Sequence, residues 1–177
     1  NQDLMAFFWD ASANEVSRKL FDDSANSWAE TSIALSMVEL AQATAFPDFA
    51  AAVDLTNSRN LLVAWTQADL LNADLRCWYV TEAAITEVTN VVLNSTDDQG
   101  LCAIGIDTSN EDWYVFYAGA SAGGETWLTS LNIYYKISTD DGTTCGAETQ
   151  LSNQLATTAL FVCSPLFTQP FNASWFR

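Results

Sequence analysis

Histidine occurs nowhere in the 177 residues. Its absence removes the side chain that most often serves as a general base near neutral pH and the commonest zinc ligand, so Ser-His-Asp, Cys-His and HExxH chemistries are excluded. Basic residues are nearly as scarce: 6 Lys and Arg stand against 22 Asp and Glu, a formal net charge of −16. A field of that sign repels phosphate backbones and anionic membrane surfaces, and no nucleic-acid partner is expected. No uninterrupted apolar run approaches the roughly 18 residues of a membrane-crossing helix, so no membrane span is expected. No charged segment leading into an apolar core marks a signal peptide, and the start at Asn1 rather than Met suggests a processed product or a piece of a longer polypeptide. Cys77, Cys102, Cys145 and Cys163 form no CxxC pair. Three of them lie in strand-like apolar runs and read as small buried hydrophobes rather than metal or disulfide partners.

What the chain does contain is apolar and aromatic. A hydrophobic fraction of 49% and an aromatic fraction of 12% supply enough surface to offset chain entropy, so the chain folds or belongs to something that does. No cofactor is expected. The acidic pairs Asp22-Asp23, Asp97-Asp98 and Asp140-Asp141 have the hard oxygens that Ca²⁺ takes, but solvated turn acids are the favoured reading. Two sequons, at Asn94 and Asn172, matter only in a eukaryotic secretory pathway.

The dominant periodicity is two. LMAFFWD (residues 4–10) reads as a short buried strand, and AAAVDLTNSRNLLVAW (50–65) as strand, turn and strand. CAIGIDTSNEDWYVFY (102–117) repeats the latter pattern, with Asp107-Thr108-Ser109-Asn110 in the place of Asp54-Leu55-Thr56-Asn57. A further strand follows each hairpin: 75–80 in the earlier unit, closed by 85–91, and 133–137 in the later one. MVELAQATA (37–45) has a helix-like composition but is brief and halted by Pro47. Four strands recurring at about 50 residues is how propeller blades read.

Residues 131–152, LNIYYKISTDDGTTCGAETQLS, form another hairpin. Ser138, Asp140, Gly142 and Thr144 resemble the Asp box, S-x-D-x-G-x-T-W, of sialidases and related BNR-repeat β-propellers, with Cys145 in the place of the Trp. FDDSANSWAET (21–31) is similar to it: Asp23 falls under Asp140, Ala25 under Gly142, Ser27 under Thr144 and Trp28 under Cys145. Such boxes shape blade turns away from the family's substrate site.

The resemblance implies an all-β fold, a β-propeller of four-stranded antiparallel blades, with about three blades in this chain: 1–48, 49–98 and 99–155. Residues 156–177 would hold a closing strand and a docking arm with Phe167, Phe171, Trp175 and Phe176. Three blades fall short of the roughly four to eight that close a ring, so missing sequence or other copies would complete it.

Catalytic sialidases use an Arg triad, a Tyr nucleophile with its Glu, an Asp acid/base and an (F/Y)-R-I-P motif. That motif is absent, and the only arginines are Arg18, Arg59, Arg76 and Arg177. Arg76 is the best candidate for an inward-facing cation, though pairing with a strand acid explains it as well. A generic glycosidase needs only two carboxylates at a set separation, and no spacing singles out a pair among the 22 acids.

Trp113, beside Asp112, and the loop containing Gly123, Gly124, Glu125 and Trp127 are the candidates for glycan or partner contact. The loop lacks the Lys and following helix of a phosphate-binding turn. The expected function is a non-catalytic structural or adhesive module, by analogy of a virion or tail appendage, extracellular or virion-associated. Its partners would be protein subunits, the remainder of a larger polypeptide, or cell-surface glycans. The alternatives are a fragment of a sialidase-like glycoside hydrolase and a lectin-type carbohydrate-binding propeller.

Overall fold

The computed structural model describes residues 4–10, 12–13, 15–29, 33–39, 49–67, 73–88, 100–119 and 132–152. Every regular element among them is a strand. A first sheet contains β1 (Leu4–Asp10), β2 (Glu15–Asp22), β3 (Ser27–Trp28) and β4 (Ile33–Glu39). β3 and β4 lie along the same edge of β2 as two pieces of one interrupted strand. The start of the helix-like run at 37–45 therefore belongs to a strand: pairing along β2 overrides its propensity.

The second sheet runs β5 (Phe49–Asp54), β6 (Arg59–Gln67), β7 (Ala73–Val80) and β8 (Ile85–Glu87). The third runs β9 (Gly100–Asp107), β10 (Asp112–Ala118), β11 (Ile133–Ser138) and β12 (Thr149–Gln150). All pairings among the described strands are antiparallel, between sequence neighbours apart from β2 with β4. The architecture is thus all-β with three antiparallel sheets, none of which closes on itself.

Alternation along the strands decides which side chains meet. In β7, Trp78 and Val80 point to one side and pack with Val16, Met5 and Phe7 of the first sheet. Leu75, Cys77 and Tyr79 point to the other and pack with Cys102, Ile104, Trp113, Val115 and Tyr117 of the third. The second sheet is therefore buried on both faces between its neighbours, as period-two alternation with apolar residues in both phases requires. Each large side chain buried in these junctions contributes about 2 kcal/mol or more. The indole N–H groups of Trp78 and Trp113 are buried with no protein hydrogen-bond partner among the described residues.

Four hairpins share one loop design. Asp10 pairs with Glu15, Asp22 with Ser27, Asp54 with Arg59 and Asp107 with Asp112, so each Asp ends its strand and four loop residues separate it from the next. Its carboxylate then accepts from the loop: Ser12 N at 2.9 Å on Asp10, Ala25 N at 3.0 Å on Asp22, Asn57 N at 3.1 Å on Asp54, and Ser109 N at 2.9 Å on Asp107. In three of these loops the last residue has positive φ: Asn26 (50°), Ser58 (51°) and Glu111 (64°). The turn at 22–28 is this loop. Asp22 accepts the loop N–H of Ala25, and the left-handed residue is Asn26, because a Cβ disfavours positive φ and Asn tolerates it better than Ala. Asp23 accepts Asn26 N–H through its backbone carbonyl at 3.3 Å. Ser27 continues the ladder, and Trp28, 45% exposed, meets Phe21 edge-on at 5.3 Å.

Candidate functional site

β11 delivers Ser138 to the end of its strand, buried, where its hydroxyl donates to Asp140 Oδ1 at 3.0 Å and accepts Gly142 N–H at 2.8 Å. Asp140 then receives Thr144 N–H on Oδ1 at 2.7 Å and the Thr144 hydroxyl on Oδ2 at 2.5 Å. Ser138, Asp140, Gly142 and Thr144 thus close one ring of hydrogen bonds. The Thr144 hydroxyl and N–H hold the Asp140 carboxyl below the usual carboxylate range. Both its oxygens serve the turn.

The positive φ of Asp141 (61°) and Gly142 (81°) turns the loop tip toward the second sheet. There Asp141 is gripped. Arg59 Nη2 forms an ion pair with its Oδ1, Asn57 Nδ2 lies 3.4 Å from the same oxygen, and the Tyr79 hydroxyl donates to its carbonyl. Arg59 Nε reaches back to Asp54 Oδ2 at 2.7 Å, while its guanidinium lies 3.5 Å over the Tyr79 ring. Tyr79 meets Trp113 edge-on at 5.0 Å, and a Cβ on Gly142 would collide with the Trp113 ring. One arginine thereby joins carboxylates from consecutive sheets over an aromatic floor.

The electrostatics follow from those contacts. Burial pushes the Asp54 carboxyl up, but donors from Asn57 and Arg59 outweigh it and hold the group below its ordinary value. Burial pulls Arg59 down, and its bonds to Asp54 and Asp141 more than reverse this. Burial pushes the Tyr79 phenol well up, so it stays a donor at neutral pH. The Cys77 thiol, fully buried, and the Cys145 thiol, partly buried against the same core, are both pushed up by burial. Neither is a thiolate nucleophile near neutral pH. The arrangement can fix two sheets in register. Within it, Asp54, Arg59, Tyr79, Cys77 and Cys145 are all moved away from titration near pH 7.

A second arginine works at the other junction, where Arg18 of the first sheet donates from Nη2 to the Glu82 carbonyl at 2.8 Å. Glu82 lies between β7 and β8, as Asp141 lies between β11 and β12. In both junctions an Arg of the earlier sheet holds the turn between the third and fourth strands of the later one. Arg76 pairs with Glu87, Nε to Oε1 at 2.8 Å, within its own sheet.

Of the other residues proposed from sequence, Trp113 is 1% exposed and fills the junction rather than offering a ring face to solvent. Gly123, Gly124, Glu125, Trp127, Asp97-Asp98 and the 156–177 arm lie outside the described residues. Among the described residues no group of three or more Cys, Asp or Glu is placed to hold a metal ion, and no helix is long and apolar enough to cross a membrane. No reading of the sequence brought Arg59, Asn57, Tyr79 and Asp141 together as one cluster. The one available signal was an Arg, rare here, directly after an Asp-anchored turn. Compared with protein-family models, curated proteins and solved structures, the chain matches none.

Proposed function

We propose that the chain is a segment of a BNR-type, sialidase-like β-propeller acting as a structural or adhesive module, binding protein partners or glycans, rather than as a catalyst. The observation that carries this reading is the clamp of Asp54, Arg59, Tyr79 and Asp141, in which the residue inside the Asp box is spent on joining one sheet to the next. Sheets stacked face to face in sequence order are the arrangement that blades of a propeller adopt. Among the described arginines, Arg59 and Arg76 are paired with carboxylates and Arg18 reaches the Glu82 carbonyl through Nη2 alone; Arg18 and Arg59 serve different junctions, so the three form no triad for a substrate carboxylate.

The test is to incubate the purified chain with fluorogenic aryl sialosides and neutral aryl glycosides, and in parallel on a glycan array. The expected outcome is no turnover, with any signal confined to binding. Turnover abolished by replacing one carboxylate would sink the non-catalytic reading, and array binding without turnover would select the lectin-type form of it.

A further inference from the structure

We infer that two copies of this chain associate head to tail, the outer face of the third sheet in one covering the outer face of the first sheet in the other. The inference rests on the propeller reading above and adds the partner and the surfaces.

The molecule displays the contact twice. The second sheet receives the first on one face, through Trp78 and Val80, and offers Leu75, Cys77 and Tyr79 of the opposite face to the third. Each sheet thus has a leading face, turned to the sheet before it, and a trailing face, turned to the sheet after it. Among the described residues two faces have no sheet against them. The leading face of the first carries Leu4, 59% exposed, with Phe8, Phe21 and Trp28, 45% exposed, around Lys19, and Ser17 of the same face is buried. The trailing face of the third carries Phe116 and Tyr135, with ring centroids 5.9 Å apart, flanked by Ile133 and Ile137. Both present clustered aromatic side chains, as a junction requires, one as a leading and the other as a trailing face. The second sheet stands between them, so one copy cannot bring them together.

Size supports a second copy as the occupant. Strands of 6 to 8 residues in the third sheet give a face of roughly 400 Å² at about 3.3 Å per residue and about 4.8 Å between strands. Head-to-tail pairing of two copies makes two junctions and buries roughly 1,600 Å² in total, the size of a standard specific interface. A contact of one face with its own copy buries only about half of that, below the roughly 1,000 Å² expected of a specific complex. At the rim, Glu111 and Asp112 of the third sheet would approach Asp22 and Asp23 of the partner copy, where the internal junction has Arg59. Association should therefore strengthen as salt screens these acids.

Sedimentation velocity on the whole chain tests this. The expected species has twice the 19.4 kDa chain mass and grows with NaCl. Phe116→Lys on the trailing face and Trp28→Lys on the leading face should each weaken the dimer about tenfold or more. Mixing the two variants should give more association than either alone, though less than the parent, because only one of the two junctions then keeps both faces intact. Tyr135→Lys and Leu4→Lys serve if either variant fails to keep the parent's circular dichroism. A monomer at all concentrations overturns the inference and would mean that other segments of the chain, or another protein, cover these faces. A dimer insensitive to one variant overturns it in favour of a face paired with its own copy. Small-angle scattering separates the two levels: a monomer shaped as a wedge of three stacked sheets removes the pairing and leaves the propeller reading, while unstacked sheets remove both.

Discussion

Gly142 stands where backbone conformation and space coincide. Its φ of 81° and the Trp113 ring against its α-carbon both exclude a side chain. Gly142→Ala is expected to cost about 3 kcal/mol, from strain together with overpacking, read as a lower urea midpoint with an unchanged slope. Glu111 is the opposite case, a side chain in a conformation that suits glycine better, with φ 64° and its N–H donating to the Asp107 carbonyl at 2.7 Å. Glu111→Gly keeps that bond and relieves the strain, so thermal unfolding should show a gain of about 0.5–1 kcal/mol after the flexibility of glycine in the unfolded chain is allowed for.

Among the elements, the hairpins were legible in the sequence and the junctions were not. Alternation and turn residues are local, so LMAFFWD, 50–65 and 102–117 could be read directly, as could the ring formed by Ser138, Asp140, Gly142 and Thr144. The equivalence of Asp54 and Asp107 was visible, while Asp10 and Asp22 as further copies of the same anchor emerged only from strand register. Arg59 and Asp141 are 82 residues apart, and no local pattern links them. Trp113, beside Asp112, was a candidate for glycan contact, and the phase of β10 turns it inward.

Arg59→Met tests the junction, since it strips one buried and one exposed carboxylate of their cation. A loss of about 2–3 kcal/mol is expected by chemical denaturation. The acid limb should move as well. Asp54 has a depressed pKa in the folded protein, so its contribution is present above the unfolded value near 3.8 and is lost as pH falls through the folded one. Without Arg59 that depression shrinks, so the acid-linked loss, which begins at the same unfolded value, should be smaller and should end at a higher pH than in the parent.

For the molecule as a whole, a net charge of −16 on 177 residues acts against compaction. The melting midpoint should rise between about 0.05 and 0.5 M NaCl as repulsion is screened, and a flat or falling response would mean that local ion pairs outweigh the net charge. The sheets themselves carry a means of watching them separate. Trp78 lies in the junction of the first and second sheets, Trp113 in that of the second and third, and each indole N–H is buried without a protein acceptor among the described residues. Water reaching either ring would shift its emission to the red. With the other Trp residues replaced by Phe, each junction therefore becomes its own fluorescent reporter. The pair can show whether the stack opens as one cooperative body or peels apart a sheet at a time.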